Sequence, residues 1–191
     1  MRFKAQGRPI LTQFGRSSST IKKYAMHFAQ LLQDFAVDIG WKDLVESFED
    51  EGICRLAVRL SVGGRSYRLM LEGHEERQWL ALYLYAPFTV REDKLVDASM
   101  LFNFINWNFS YSGSINVSDE GIISYKQIID LGGCTADTAL IYNMLHAAVD
   151  MFERNAAELE VVASGDLRYE EVRGEMERNI ARQFQDGSRE E

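Results

Sequence analysis

The 191 residues include only two prolines, two cysteines and three histidines, and they contain no long apolar run. Each shortage excludes something. Scarce proline, with 46% hydrophobic and 12% aromatic residues, excludes a wholly disordered or low-complexity chain. No stretch approaches the roughly 20 consecutive apolar residues of a membrane helix, so no membrane span is expected. The N-terminus has positive charge but no continuous apolar segment and no small-residue cleavage site, so it does not read as a secretory signal. Residues 8–16 lack the amphipathic pattern of a transit peptide. Cys54 and Cys134 are too far apart to form a disulfide framework, and reduced thiols in a cytoplasm are the simplest expectation.

The histidines are equally uninformative as ligands. His27, His74 and His146 fall in separate elements, and none stands in an HExxH or HxH spacing. "HEE" (74–76) places an imidazole beside two carboxylates, but consecutive residues of a tight turn rarely converge on one point, so a solvated turn is the plainer reading. "SVGGRS" (61–66) lacks the Lys-Ser/Thr of a phosphate loop and lies between strands. "LGGCTADT" (131–138) is a glycine pair before a helix start whose free amides could hold an anion. It lacks GxGxxG spacing, and capping by Thr135 explains it without a ligand. Cys134 beside that start has no matched His and Asn or Asp for nucleophilic chemistry. No catalytic residue, cofactor site or metal site is therefore assigned, and a non-enzyme is expected.

What is present is charge, unevenly placed. Residues 1–23 hold six cations and no acidic residue, a net +6 within a chain of −8, which leaves the remainder at −14. The acidic body argues against nucleic acid as a partner. Residues 1–19 read as a basic, flexible arm.

Apolar periodicity supplies the elements. Ile21, Tyr24, Phe28, Leu31, Leu32 and Phe35 recur at helical spacing to about residue 38, behind a cap at Ser19 or Thr20 and before Gly40. The period then becomes two: Cys54, Leu56, Val58, Leu60 and Val62 share one face, with Arg55, Arg59 and Ser61 on the other. "VGGR" (62–65) is a hairpin turn, 67–72 the return strand, and 79–86 a third strand that Pro87 stops. A second helix follows over 92–109. In "FINWNFSYSGSINVSDEGIISY" (104–125), Asn106 and Asn108 sit where that helix must end, as residues that tolerate left-handed backbone, and Trp107 anchors the turn. Ile115 and Val117 begin a hairpin tipped by "SDEG" (118–121), and 122–131 is the last strand. A third helix, bent near its end, runs from Thr135 to about residue 163. The order α-β-β-β-α-β-β-α makes an α+β domain over residues 20–164, an antiparallel sheet of about five strands packed with helices. Residues 165–191 are a charged extension in which Val172, Met176, Ile180 and Phe184 recur every four residues, so it either docks as a helix or trails as a tail.

"LFNFINWNF" (101–109), "INVSDEGIISYKQIIDL" (115–131) and "TADTALIYNMLHAAVDMF" (135–152), in that order, resemble the YbjN-like family, whose fold is similar to that of type III secretion chaperones. The chain departs from the family in having Ala157-Glu158 where a proline is frequent, and in its basic arm and charged extension. The resemblance implies a non-enzymatic, bacterial, cytoplasmic protein that binds a protein or peptide partner or regulates one, and that forms a homodimer. The alternative from the residues alone is a small-molecule or anion-binding domain using the helix start at 132–138.

Two surfaces are expected to matter. In the third strand Leu80, Leu82 and Leu84 take one face, and Trp79, Tyr83 and Tyr85 take the other, where polar residues would suit a solvated strand. Those aromatics are covered by another element, or they are a site for a partner peptide. The second helix has more apolar residues than one stripe needs, and Met100, Leu101 and Phe104 are the expected dimer contact.

Overall fold

The computed structural model describes residues 4–5, 26–41, 46–48, 51–109, 111–132 and 134–187. The basic arm and the Ser19/Thr20 cap lie outside these residues, apart from Lys4–Ala5 (β1). Helix α1 (Met26–Asp38) precedes the short β2 (Glu46–Phe48) and the meander β3 (Ile53–Val62), β4 (Arg65–His74) and β5 (Trp79–Thr89). After a 3₁₀ turn at Glu92–Lys94 come α2 (Leu95–Asn108), β6 (Ser114–Val117), β7 (Ile122–Asp130), α3 (Thr138–Arg154), α4 (Ala156–Ser164) and α5 (Tyr169–Gly187). The fold is α+β in the expected order. Five principal strands run β3-β4-β5-β7-β6, all antiparallel, and β1 and β2 pair along the outer edge of β3.

The alternation read in β3 sets the layers. Leu56, Val58 and Leu60 point the same way as Leu69 and Leu71 of β4 and Leu80, Leu82 and Leu84 of β5, and all are buried. Helices α1 and α3 cover this face. Phe35 meets Tyr142 edge-on between the two helices, with ring centroids 5.1 Å apart, and Tyr67 of β4 packs against Phe152 of α3. Each fully buried leucine is worth about 1.5–3 kcal/mol in removed apolar surface, so this one layer dominates stability. Gly73 is needed at the contact, because a Cβ there would collide with Phe28 and the Cys54 sulfur. Gly63 and Gly64, with φ of +57° and +81°, make the β3–β4 turn.

Several local expectations change. β5 continues past Pro87 to Thr89, because its pairing with β7 shifts register between Tyr85 and Thr89 and the proline falls in that irregularity. The helix α3 starts at Thr138, not Thr135, and its cap is the Asp137 carboxylate, which accepts the N–H of Leu140. The bend in the third helix is a break at Asn155, whose buried amide donates to Met151 O (2.8 Å) and to the Tyr111 hydroxyl (3.1 Å). The C-terminal segment docks: Tyr169, Val172 and Met176 are buried against the domain, with α5 packed on α2 and α4. The side chain of Phe184 lies outside the described set.

The 104–125 stretch is structural, by a different device from the one expected. Neither asparagine adopts a left-handed backbone. Asn106 instead bonds Ile115 twice, donating to its carbonyl (3.0 Å) and accepting its N–H (2.9 Å), so one side chain fastens α2 to the start of β6. Asn108 donates to Phe104 O at 2.8 Å. Trp107 is no anchor: it is 87% exposed.

Candidate functional site

Among the described residues no helix covers the second face of the sheet. Among its residues Ala57, Arg59, Ser66, Arg68, Asn116, Lys126 and Ile128 are exposed, and Trp79, Tyr83 and Tyr85 are half-buried. Strand pairing arranges this face in rows across the sheet. Arg59, Arg68, Tyr85, Ser124 and Asn116 form one row, and Ala57, Met70, Tyr83, Lys126 and Ser114 the next. Arg55, Glu72, Ala81 and Ile128 form the third, and Ile53, His74, Trp79 and Asp130 the fourth.

The three expected aromatics thus share one surface, but they divide into two groups. Tyr83 and Tyr85 stack with ring centroids 6.4 Å apart and planes 15° from parallel. The Arg68 guanidinium lies 4.2 Å from the Tyr85 ring centre, and the Lys126 ammonium lies 5.6 Å from that of Tyr83. Such contacts contribute about 0.5–1 kcal/mol each when exposed, so they hold side chains in place more than they hold the fold together. Partial burial pushes both phenols above their ordinary pKa, so they stay neutral donors at physiological pH. Trp79 is four residues away along the strand, stacked on His74 at 4.5 Å with Arg77 at 5.1 Å from its indole. Its indole nitrogen is buried with no hydrogen-bond partner among the described residues.

Charge separates along the same axis. The Trp79 end is balanced: Arg55 binds Glu72 at 2.6 Å, His74 Nε2 lies 3.5 Å from the same carboxylate, and Asp130 stands opposite Trp79. The tyrosine end carries Arg59, Arg68 and Lys126 and no carboxylate in its two rows. None of these three cations has an ion-pair partner among the described residues. Alternation in β3 alone marks its arginines only as solvent-facing residues. That Arg59 stands opposite Arg68, with Lys126 two strands beyond on the same face, depends on strand register, which no local pattern reveals.

The other expected contact set is split by the fold. Leu101 and Phe104 are 0% and 8% exposed, because α5 and the neighbouring elements already cover that side of α2, and Arg173 of α5 lies 5.6 Å over the Phe104 ring. Met100 is 43% exposed. It lies on an outward stripe with Val96, Asn103 and Trp107, beside a shallow cleft that Leu95, Ser99 and Tyr169 complete. The apolar surface of α2 available to a partner is therefore Val96, Met100 and Trp107.

The helix start at 132–138 contains Gly132, exposed Cys134 and Thr135, and the Asp137 cap. That carboxylate already occupies the position an anion would take, and it repels one. Cys54 is buried beneath the sheet, its thiol pushed up to about 12 by burial and then by nearby Glu75, so it is no nucleophile at neutral pH. Among the described residues no group of His, Cys, Asp and Glu is arranged to hold a metal ion, and no helix is long and apolar enough to cross a membrane.

No protein-family model and no curated protein matches the chain. Solved structures are similar to it. A chain of the ExsC–ExsE complex is 18% identical, covering 73% of this chain and 96% of that one, with a TM-score of 0.49. A chain of the HopA1–SchA chaperone–effector complex is 16% identical over 68% and 93%, with a TM-score of 0.42. A chain from the Yersinia pestis type III secretion chaperone SycH with a stable fragment of YscM2 is 13% identical over 64% and 94%, with a TM-score of 0.41.

Proposed function

We propose that this protein is a non-enzymatic binding module that receives a protein segment on the open face of its sheet. The observation that carries the reading is the placement of Trp79, Tyr83 and Tyr85 on a sheet face that the described helices leave uncovered. Aromatics with one polar handle provide large contact area at low entropic cost, which is why they recur as interface anchors. The core does not need them, since the leucines of the same strand supply it. Membership of the YbjN-like family, a cytoplasmic location and a regulatory role belong to the same proposal. They rest on the residue pattern of 101–152.

The exposed stripe of α2 supports a homodimer. Val96, Met100 and Trp107 recur on one side of a helix whose other side is already packed, and large apolar groups aligned in this way mark a contact surface.

The test is affinity capture from the native host with wild-type protein and with Tyr83→Ala. A specific partner held by the wild type and lost from the variant, with the melting temperature kept within a few degrees, supports the reading. Equal capture by both proteins overturns it.

A further inference from the structure

Resting on that reading, we infer that the partner segment is acidic, with carboxylates seated at the Arg59–Arg68–Lys126 end of the open face and apolar side chains over Ala57 and Met70, against the edge of Tyr83. Arg59 and Arg68 are direct register partners on neighbouring strands. Like charges directly opposite one another are unfavourable in a sheet, and here no carboxylate among the described residues forms an ion pair with either arginine. Lys126 adds a third cation one row away, opposite Tyr83. A chain with net charge −8 has carboxylates to spare, yet this end of the face has none in its two rows. An anionic ligand would pair with cations that no carboxylate of these two rows answers.

The arrangement fits a peptide better than a nucleic acid. A base-stacking platform needs bare ring faces. Here the Arg68 guanidinium sits over Tyr85 and the Lys126 ammonium over Tyr83. The same cations, with exposed Ala57 and half-buried Met70 between them, suit a strand that alternates Asp or Glu with apolar residues. Successive carboxylates on one side of such a strand stand about 6.6–6.8 Å apart. The other end of the face, where Arg55 and Glu72 neutralise each other, would accept the uncharged remainder of the segment.

The experiment selects binders from a displayed library of random peptides of about twelve residues, roughly 40 Å when extended. Selection uses the wild-type protein, with counter-selection on Tyr83→Ala so that only ligands of this face survive. The inference expects survivors rich in Asp and Glu, bound about tenfold more weakly by the Arg59→Gln, Arg68→Gln double variant. It also expects them to weaken between about 50 and 500 mM salt, where the Debye length shortens roughly threefold. Survivors that are neutral or basic and indifferent to the double variant overturn the acidic partner while leaving the protein-binding reading intact. A single-stranded RNA oligonucleotide that displaces the peptides and binds more tightly overturns it in favour of nucleic acid. If no ligand depends on Tyr83, this inference and the proposed function fall together.

Discussion

The Glu75 carboxylate, in the turn between β4 and β5, accepts the backbone N–H of Phe28 in the first turn of α1 at 2.8 Å. A helix start is thus satisfied by a residue 47 positions away, and the anion faces the positive end of the helix. Glu75 is 3% exposed, so its removal takes away a buried, charge-assisted bond. Glu75→Ala should cost about 2 kcal/mol and lower the melting temperature by about 4–8 °C for a chain of this size. Glu75→Gln, which keeps an acceptor, should lose less. Calorimetry of both variants checks this ordering.

A second carboxylate fixes the C-terminal helix. Asp97 of α2 accepts the N–H of Tyr169 at 3.0 Å and lies 3.4 Å from Lys94 Nζ, which donates to Leu167 O at 2.8 Å. The Tyr169 N–H first, and then Lys94, hold the Asp97 carboxyl below its ordinary range. A group depressed in the folded state stabilises above its unfolded pKa and loses that contribution as pH falls through the folded value. The attachment of α5 should therefore be pH-independent near neutrality and weaken below about pH 4. Hydrogen exchange over residues 169–180, followed as pH is lowered, should show α5 opening before the sheet. Asp97→Ala should show the same opening at pH 7.

The α2 stripe separates assembly from stability. Met100→Glu places a charge on an exposed position and should leave folding intact while converting a dimer to a monomer in light scattering. Leu101→Glu buries an uncompensated charge one residue away and should unfold the protein instead, at a cost of several kcal/mol. A wild-type protein that is monomeric at micromolar concentration removes the dimer from the proposal.

How much of this could be read from the chain follows from which interactions are local. The α+β class, the limits of β3 and the leucine face of β5 follow from periods of two and from glycine turns, which neighbouring residues determine. The cap of α3 is ambiguous in the sequence because Thr135 and Asp137 are both good caps, and propensity alone does not choose between them. Trp107 reads as an anchor because tryptophan is usually buried, but its position on α2 faces away from both the sheet and α5. Leu101 and Phe104 look surplus in the sequence because the docking of α5 on α2 is not legible in its thin stripe. Alternation within β5 alone puts Trp79, Tyr83 and Tyr85 on one face. Their company of Arg59, Arg68 and Lys126 is hidden from the sequence, since it is set by pairing among four strands.

The most direct measurement is photocrosslinking from the open face. A benzoyl-phenylalanine at Ile128, which is 41% exposed and two residues from Lys126 on the same face, reports what lies over the sheet. The same group at Asn143, exposed on α3 on the helical side, serves as the control. Protein binding on the sheet predicts one dominant adduct in the native host from position 128, lost when Tyr83→Ala is added, and no such adduct from position 143. An adduct that forms at 143 but not at 128 would place the partner on the helices and contradict the account.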